Sequence, residues 1–445
     1  MEYAIFGLLI IISLFLYLVS NKLFFASILL AYPLIAQSVL KSFYLFGLEL
    51  NLSKVYGGII LLACLIELIK WIITPRRDKF TSIEILIVTF LFYSAVLTLL
   101  SINRTASIIA EMKVSTWMLL LIISKRIFTT KKDLLMLSNL ATICCFIIAI
   151  SYFLSRLGIY GGQWETYARE GVTVYSAEFW GPTGIALPLV MSIPLLMINF
   201  YLDRKKILPI FIISISILII FLTYLRSAVV ILICGYIAFL YFRKKYKIGT
   251  ISRNMFIGLV LFFLTFLIFQ YLEPGTALKR WEKAQKELTA KELHQVPQFY
   301  CEKIGISPRF ASGRVGLFEQ GLRYYLSENF GRKIFGNGLG TSWVTNPYGK
   351  VVHNDFLEVL LGCGLFGFTL YVSLLWKIYK VLKDLMESFK TRDEKILGCV
   401  AIFSLIMFLT AHFHGIGVAV FPLSIMALHL GATIGLRKGI CKGNT

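Results

Sequence analysis

The sequence predicts an all-α polytopic membrane protein with about 12–14 transmembrane helices and one large exterior (periplasmic) loop subdomain. Of its 445 residues, 58% are hydrophobic, and the mean hydropathy of +0.77 is too high for a water-soluble domain. Long apolar runs recur along the chain, and short clusters of Lys and Arg separate them. Together, these three observations indicate a chain that crosses a bilayer many times.

Each apolar run approaches the roughly 20 residues that a helix needs to cross a bilayer. The first lacks a basic leader and a small-residue cleavage site, so we expect it to be retained as a span. The fifth is the weakest because Glu111 and Lys113 interrupt it, whereas Glu67 and Lys70 in the third are expected to pair with each other. The candidate spans are 3–20, 23–40, 56–74, 82–101, 107–124, 134–154, 181–201, 207–224, 227–242, 255–272, 355–376, 396–414 and 417–436.

The basic residues indicate how the chain is oriented in the membrane. The formal net charge is +21, yet a nucleic-acid partner is not expected, because the cations lie between apolar runs instead of on one soluble face. By the positive-inside rule these clusters face the cytoplasm. They are Arg76, Arg77 and Lys79; Lys125, Arg126, Lys131 and Lys132; Arg204 to Lys206; Arg243 to Lys247; Lys377 to Lys395; and Arg437, Lys438 and Lys442.

This orientation divides the chain into three parts. Residues 1–272 form transmembrane helices with short loops, including an exterior loop at 155–180. Residues 273–354 form a large periplasmic or extracellular loop, and residues 355–445 form the C-terminal helices with a basic cytoplasmic tail. An odd number of spans with a cytoplasmic tail places Met1 outside, whereas one miscounted helix would place it inside.

A histidine stands where the long exterior segment re-enters the membrane, in "VVHNDFLEVLLGCGLFGF". The proton affinity of histidine lies near neutrality, so His353 is suited to take a proton from a reacting hydroxyl. The alternative is an interfacial histidine beside a helix start, because Asn354 and Asp355 are both good N-cap residues. Asp355 and Glu358 favour capping, dipole interaction or polar packing, although a nearby carboxylate can also tune an imidazole.

Arginines accompany this histidine in the predicted exterior regions. Arg226 interrupts two apolar stretches, and a guanidinium at such a place is costly unless an anion or a water-filled cavity receives it. Arg309, Arg314 and Arg323 follow in the long exterior segment. Arginine forks match phosphate oxygens, so arginines converging near one imidazole suit a diphosphate leaving group. A structural salt bridge or a solvated loop charge is the alternative for each of them.

Two further stretches are candidates for substrate binding. "FGNGLGTSW" carries Gly336, Gly338 and Gly340 at alternate positions, which lets backbone N–H groups approach a ligand or simply makes a tight turn. Arg169 lies among aromatic residues that either stack on sugar rings or anchor the chain at the membrane interface.

No metal or other cofactor is expected. No CxxC spacing is present, and Cys301 is the only cysteine of the long exterior segment. His412 and His414 in "AHFHGIG" have no third ligand nearby in the sequence, so local packing or hydrogen bonding is favoured over metal binding.

The second half of the chain resembles the O-antigen ligase and O-antigen polymerase superfamily of bacterial envelope glycosyltransferases. The resemblance rests on "FLTYLRSAVVIL", "ASGRVGLFEQGL", "KIFGNGLGTSW" and "HNDFLEVLLGCGLFGF", in which the His-Asn pair is followed by Gly364 and Gly367. The first half is similar only in being multispanning.

The resemblance implies an inverting, metal-independent glycosyltransferase in the bacterial cytoplasmic (inner) membrane, with its active site facing the periplasm. The donor would be an oligosaccharide on undecaprenyl diphosphate, and the acceptor a glycan or lipid A-core. By motif position, His353 would be the base or the acceptor-orienting residue, and Arg226 and Arg314 would contact the diphosphate, with Arg309 competing for the second position.

The remaining candidate substrate-binding residues are Arg309, Arg323, Asn354, Gly338 and Arg169. Polymerisation is favoured over ligation because nothing in the sequence specifies a core-oligosaccharide acceptor, and a separate chain-length regulator is an open partner. A lipid-linked sugar transporter or flippase is the alternative class. Its usual two related halves are not evident in this lopsided chain.

Overall fold

The computed structural model describes most of the helical part of the chain. The described residues are 2–36, 43–45, 48–50, 52–74, 80–157, 159, 165–169, 172–176, 182–202, 207–223, 225–248, 260, 264, 267, 268, 271, 314–340, 354–413 and 420–442. The predicted span at 255–272 therefore lies almost entirely outside the described residues.

Helices dominate the first half of the described chain. They are α1 (Glu2–Val19), α2 (Asn21–Ala36), α3 (Leu52–Ile73), α4 (Ser82–Leu100), α5 (Arg104–Ile127), α6 (Lys131–Arg156), α7 (Pro182–Leu202), α8 (Ile207–Leu222) and α9 (Arg226–Lys245). Two short antiparallel hairpins lie in the connections. One pairs β1 (Phe43–Leu45) with β2 (Leu48–Leu50), and the other pairs β3 (Glu165–Arg169) with β4 (Val172–Ser176).

The second half begins with two shorter helices from the long exterior segment. These are α10 (Arg314–Ser327) and α11 (Phe330–Phe335). Three long helices follow: α12 (Asp355–Ser388), α13 (Arg392–Phe413) and α14 (Val420–Lys442).

The predicted fold class is confirmed. In the described ranges, 8 helices are long and apolar enough to cross a membrane, and three shorter apolar helices accompany them. The weakest predicted span is a full-length helix, α5, in the structure. The Glu111 carboxylate accepts hydrogen bonds from Ser94 at 3.0 Å and from Ser115 at 3.1 Å. The predicted pair within the third span is also confirmed, since Lys70 Nζ lies 2.9 Å from Glu67 Oε1.

Basic side chains join helix ends at one side of the bundle, which we call the basic end. Lys22 at the start of α2 pairs with Asp133 in the first turn of α6 at 2.7 Å. Arg126 in the last turn of α5 pairs with Glu84 in the first turn of α4, also at 2.7 Å. Lys131 at the start of α6 lies 3.5 Å from Glu394 at the start of α13. The starts of α2, α4, α6 and α13 and the end of α5 therefore lie together.

The other termini of these helices define the opposite end of the bundle. There α4 ends at Leu100 and α5 begins at Arg104, and α13 ends at Phe413. The start of α12 is at this end, because the Asn354 side chain reaches the carbonyl of Phe413 at 3.5 Å.

Aromatic side chains fill the centre between α4, α5, α12 and α13. Trp117 is buried, with ring centroids 5.1 Å from Phe408 and 6.4 Å from Tyr371. Tyr371 in turn lies 5.6 Å from Phe90. These rings bury a large apolar area, and their edge-to-face and tilted arrangement is the one that aromatic pairs prefer.

The sequence predicts one span at 355–376, and the structure differs in length and in continuity. Helix α12 continues for 34 residues to Ser388, and its backbone leaves the helical conformation at Gly364 (φ 62°, ψ −173°). This break lies at the glycine-rich stretch, where close helix approach is the expected role of small residues. The partner that approaches is the glycine turn of the exterior segment.

Candidate functional site

A small cavity with mostly apolar walls lies at the opposite end of the bundle, between α5, α12 and the last turn of α13. Its volume is ≈ 60 Å³. The polar residues that line it are Lys113, Asn354, Asp355, Glu358 and His412, and apolar walls come from Trp117, Tyr371 and Leu339, among others. A cation, two carboxylates, an amide and an imidazole therefore converge within an apolar bundle.

Asn354 fixes the start of α12 beside this cavity. Its side-chain oxygen accepts the backbone N–H of Leu357 at 2.9 Å, which makes it the N-cap of the helix. The capping interpretation of Asn354 is therefore confirmed, and its contact with a substrate stays a prediction. His353, the residue directly before it, lies outside the described residues.

Glu358 connects the start of α12 to the glycine turn, residues 336–340. Its carboxylate accepts the backbone N–H of Gly340 at 2.9 Å. Asp355, one turn earlier, is buried. Polar packing is thus an observed role of Glu358, and both acidic side chains also favour the N-terminal turn of α12 through the helix dipole.

The glycine turn packs into the break of α12. Gly336, Gly338 and Gly340 all have positive φ angles, of 85°, 94° and 77°. The backbone N–H of Gly338 donates to the carbonyl of Gly362 at 2.7 Å, and that of Asn337 donates to the same carbonyl at 3.0 Å. A Cβ on Gly338 would lie 2.7 Å from Ser101 Cβ, so no larger residue fits. Within the protein these N–H groups hold the turn against α12, and substrate binding by Gly338 stays a prediction.

The helices α10 and α11 lead into this turn. Tyr324 and Tyr325 of α10 pack on a small apolar cluster formed by Leu357 and Leu361 of α12. Glu328 lies between α10 and α11. Burial alone would raise its pKa, but hydrogen bonds from Tyr324 and Arg332 hold that pKa below its ordinary value. The ionised form of Glu328 therefore stabilises the contact between α10 and α11.

Arg226 is the first residue of α9 and is half-buried. Its position in the bundle follows from the packing of α9 on α13. A Cβ on Gly235 would meet Met407, and the ring of Phe239 lies 6.1 Å from that of Phe403, so the two helices are antiparallel. The start of α9 therefore lies at the end of α13, which is the end that holds Asn354.

The other candidate arginines are described only in part. Arg323 pairs with Glu319 on the same helix at 2.7 Å, so the structural salt bridge considered for it is present. Arg314 begins α10, but its side chain lies outside the described residues, as does the side chain of Arg169 in β3. Arg309 lies outside them altogether.

Sequence reasoning missed Lys113 as a residue that lines this cavity. The lysine was expected only to weaken a span, yet it lines the cavity one helical turn before Trp117. The available signal was a charge inside an apolar helix, which marks a polar pathway or cavity by default. His412 agrees with the packing interpretation, because it is buried among aromatic rings with Nδ1 2.8 Å from the carbonyl of Phe408.

The described residues contain no group of three or more His, Cys, Asp or Glu side chains that could hold a metal ion. No protein-family model matches the sequence. No curated protein matches it either.

Proposed function

We propose that this protein is a membrane glycosyltransferase of the O-antigen polymerase or ligase type, which transfers a glycan from undecaprenyl diphosphate to a sugar hydroxyl. The observation that carries the proposal is the common location of Arg226 and Asn354 at the end of the bundle away from the basic clusters. Asn354 directly follows His353 in the sequence, and we propose that His353 acts with Arg226 at this end.

The charge distribution supports an exterior location for this site. Ion pairs and helix termini with Lys and Arg mark the basic end, and such clusters favour the cytoplasmic side. The end with Arg226 and the cavity would then face the periplasm of a bacterial inner membrane, where lipid-linked glycans are joined.

The proposed reaction uses one base and fixed positive charge. The His353 imidazole would take the proton of the acceptor hydroxyl while its oxygen bonds to the anomeric carbon of the donor. The bond from that carbon to the phosphate oxygen breaks with inversion, and undecaprenyl diphosphate leaves with the electron pair. Arg226, with Arg314 as the second candidate, would stabilise the growing charge on the diphosphate, which needs no metal ion.

The described polar residues have a supporting role in this scheme. Asn354 caps α12 and Glu358 binds the glycine turn, so the start of α12, directly after His353 in the sequence, is fixed at the cavity. A base that is positioned by its neighbours loses less entropy when the acceptor binds.

Purified protein in detergent with a lipid-linked glycan tests the proposal. We expect bond cleavage with release of undecaprenyl diphosphate, and longer lipid-linked chains from a single substrate would identify a polymerase. Transfer only when lipid A-core is added would identify a ligase. Movement of intact lipid-linked sugar across a proteoliposome membrane, with no bond cleavage, would contradict the proposal and support a transporter.

His353→Gln distinguishes a base from a positioning residue. Glutamine keeps a polar contact but does not take up a proton at neutral pH. We expect this variant to lose turnover, and retained turnover would show that the imidazole only orients the acceptor.

A further inference from the structure

The C-terminal end of α11 lies deeper in the bundle than the C-terminal end of the neighbouring span α4. Tyr93 of α4 stands seven residues before Leu100, which is about 10 Å along the helix axis. Its hydroxyl donates a hydrogen bond to the carbonyl of Phe335, the last residue of α11, at 2.8 Å. The following Gly336 fits against the break of α12, where a Cβ would lie 2.3 Å from the carbonyl oxygen of Gly362. The chain therefore enters the bundle to the level of Tyr93 at the end of α11, and it returns toward the end of α4 through the glycine turn.

Helix α4 is apolar on its outside up to its last residue. Leu99 is 69% exposed and Leu100 is 75% exposed. In a membrane-spanning helix, exposed leucines of this kind face acyl chains. The hydrocarbon layer thus extends at least to the end of α4, and Tyr93 with Phe335 lies within it.

The surface of α11 combines exposed apolar side chains with basic side chains. Phe330 is 80% exposed and Phe335 is 56% exposed. Arg332 and Lys333 share the same six-residue helix. Phenylalanines beside basic residues are typical of segments that lie in the membrane interface, where the rings enter the acyl region and the cations reach headgroup phosphates.

We propose that residues 330–340 form a re-entrant segment of the membrane domain, with Phe335 and Phe330 in contact with the acyl chains of the outer leaflet. The partner of this surface is lipid, because the hydrogen bond from Tyr93 holds Phe335 at a depth where α4 faces acyl chains. The sequence assigned these residues to a water-facing loop. This inference is independent of the proposed glycan transfer.

Site-directed spin labelling in nanodiscs of phosphatidylethanolamine and phosphatidylglycerol tests the proposal. A nitroxide at Phe335→Cys is compared with a lipid reference at Phe92→Cys on α4, where the native side chain is 74% exposed. The exposed Asp393→Cys at the basic end is the water reference. The labelled unsubstituted protein gives the background from native cysteines.

We expect the label at Phe335→Cys to collide more with oxygen than with a water-soluble nickel chelate, as at Phe92→Cys. The reverse order, as at Asp393→Cys, would overturn the proposal. Protection from both reagents would also overturn it, because protein would then cover the surface. If Phe335→Cys does not fold, Phe330→Cys is judged by the same criteria.

Discussion

Gly364→Ala tests whether the break in α12 depends on glycine. With φ 62° and ψ −173°, this residue occupies a backbone region that costs other residues about 1–3 kcal/mol. An added Cβ would lie 2.4 Å from the carbonyl oxygen of Ile334 and 2.6 Å from the nitrogen of Gly336. Overpacking of this kind costs about 1–3 kcal/mol more. The sum of about 2–6 kcal/mol is a large part of a typical folding free energy of about 5–15 kcal/mol.

The assay is thermal unfolding of the purified protein in detergent, followed by tryptophan fluorescence. Gly57→Ala is the matched control, because it makes the same substitution in α3 with no atom within 4 Å of the added Cβ. We expect the control to keep or slightly raise the Tm, since alanine favours a helix by about 1 kcal/mol over glycine. A Tm for Gly364→Ala equal to that of the control would refute the account of the break.

Three further predictions concern the elements around the cavity. Tyr93→Phe removes the hydroxyl that binds the end of α11, so we expect a loss of about 0.5–1.5 kcal/mol in the free energy of unfolding; an unchanged Tm would argue against this contact. Asn354→Ala should cost about 1 kcal/mol through the lost N-cap, and Asn354→Ser should restore most of it; equal Tm values for the two variants would contradict capping. Because the folded pKa of Glu328 is lowered, its stabilisation is complete above its ordinary pKa of 4.5 and is lost as the pH falls below it. The Tm difference between wild type and Glu328→Gln should therefore shrink below pH 4.5, and a difference independent of pH would contradict the assignment.

Most helices could be predicted because hydropathy and length determine where a chain crosses a bilayer. The predicted span at 82–101 corresponds to Ser82–Leu100, and that at 396–414 to Arg392–Phe413. The positive clusters also mark one end of the bundle, as the ion pair between Arg126 and Glu84 illustrates. These features depend on local sequence, so they can be predicted without a structure.

The tertiary features were harder to predict. The glycines of the exterior turn and of α12 were both noticed, but nothing local indicates that Gly336 packs against Gly364. The cavity around Lys113 likewise depends on which helix faces meet. The hairpin of β3 and β4 did carry a local signal, since residues with high strand propensity, namely Thr166, Tyr167 and the run from Val172 to Tyr175, flank Glu170 and Gly171.

The most direct test of the central claim is glycan transfer by Arg226→Ala and His353→Ala in the purified system. Arg392→Ala is the matched control, because it removes an exposed arginine at the basic end. We predict that both site variants fold and insert normally but lose turnover, while the control keeps it. Near-normal turnover in either site variant, or an equal loss in the control, would contradict the assignment of the reaction to this end of the bundle.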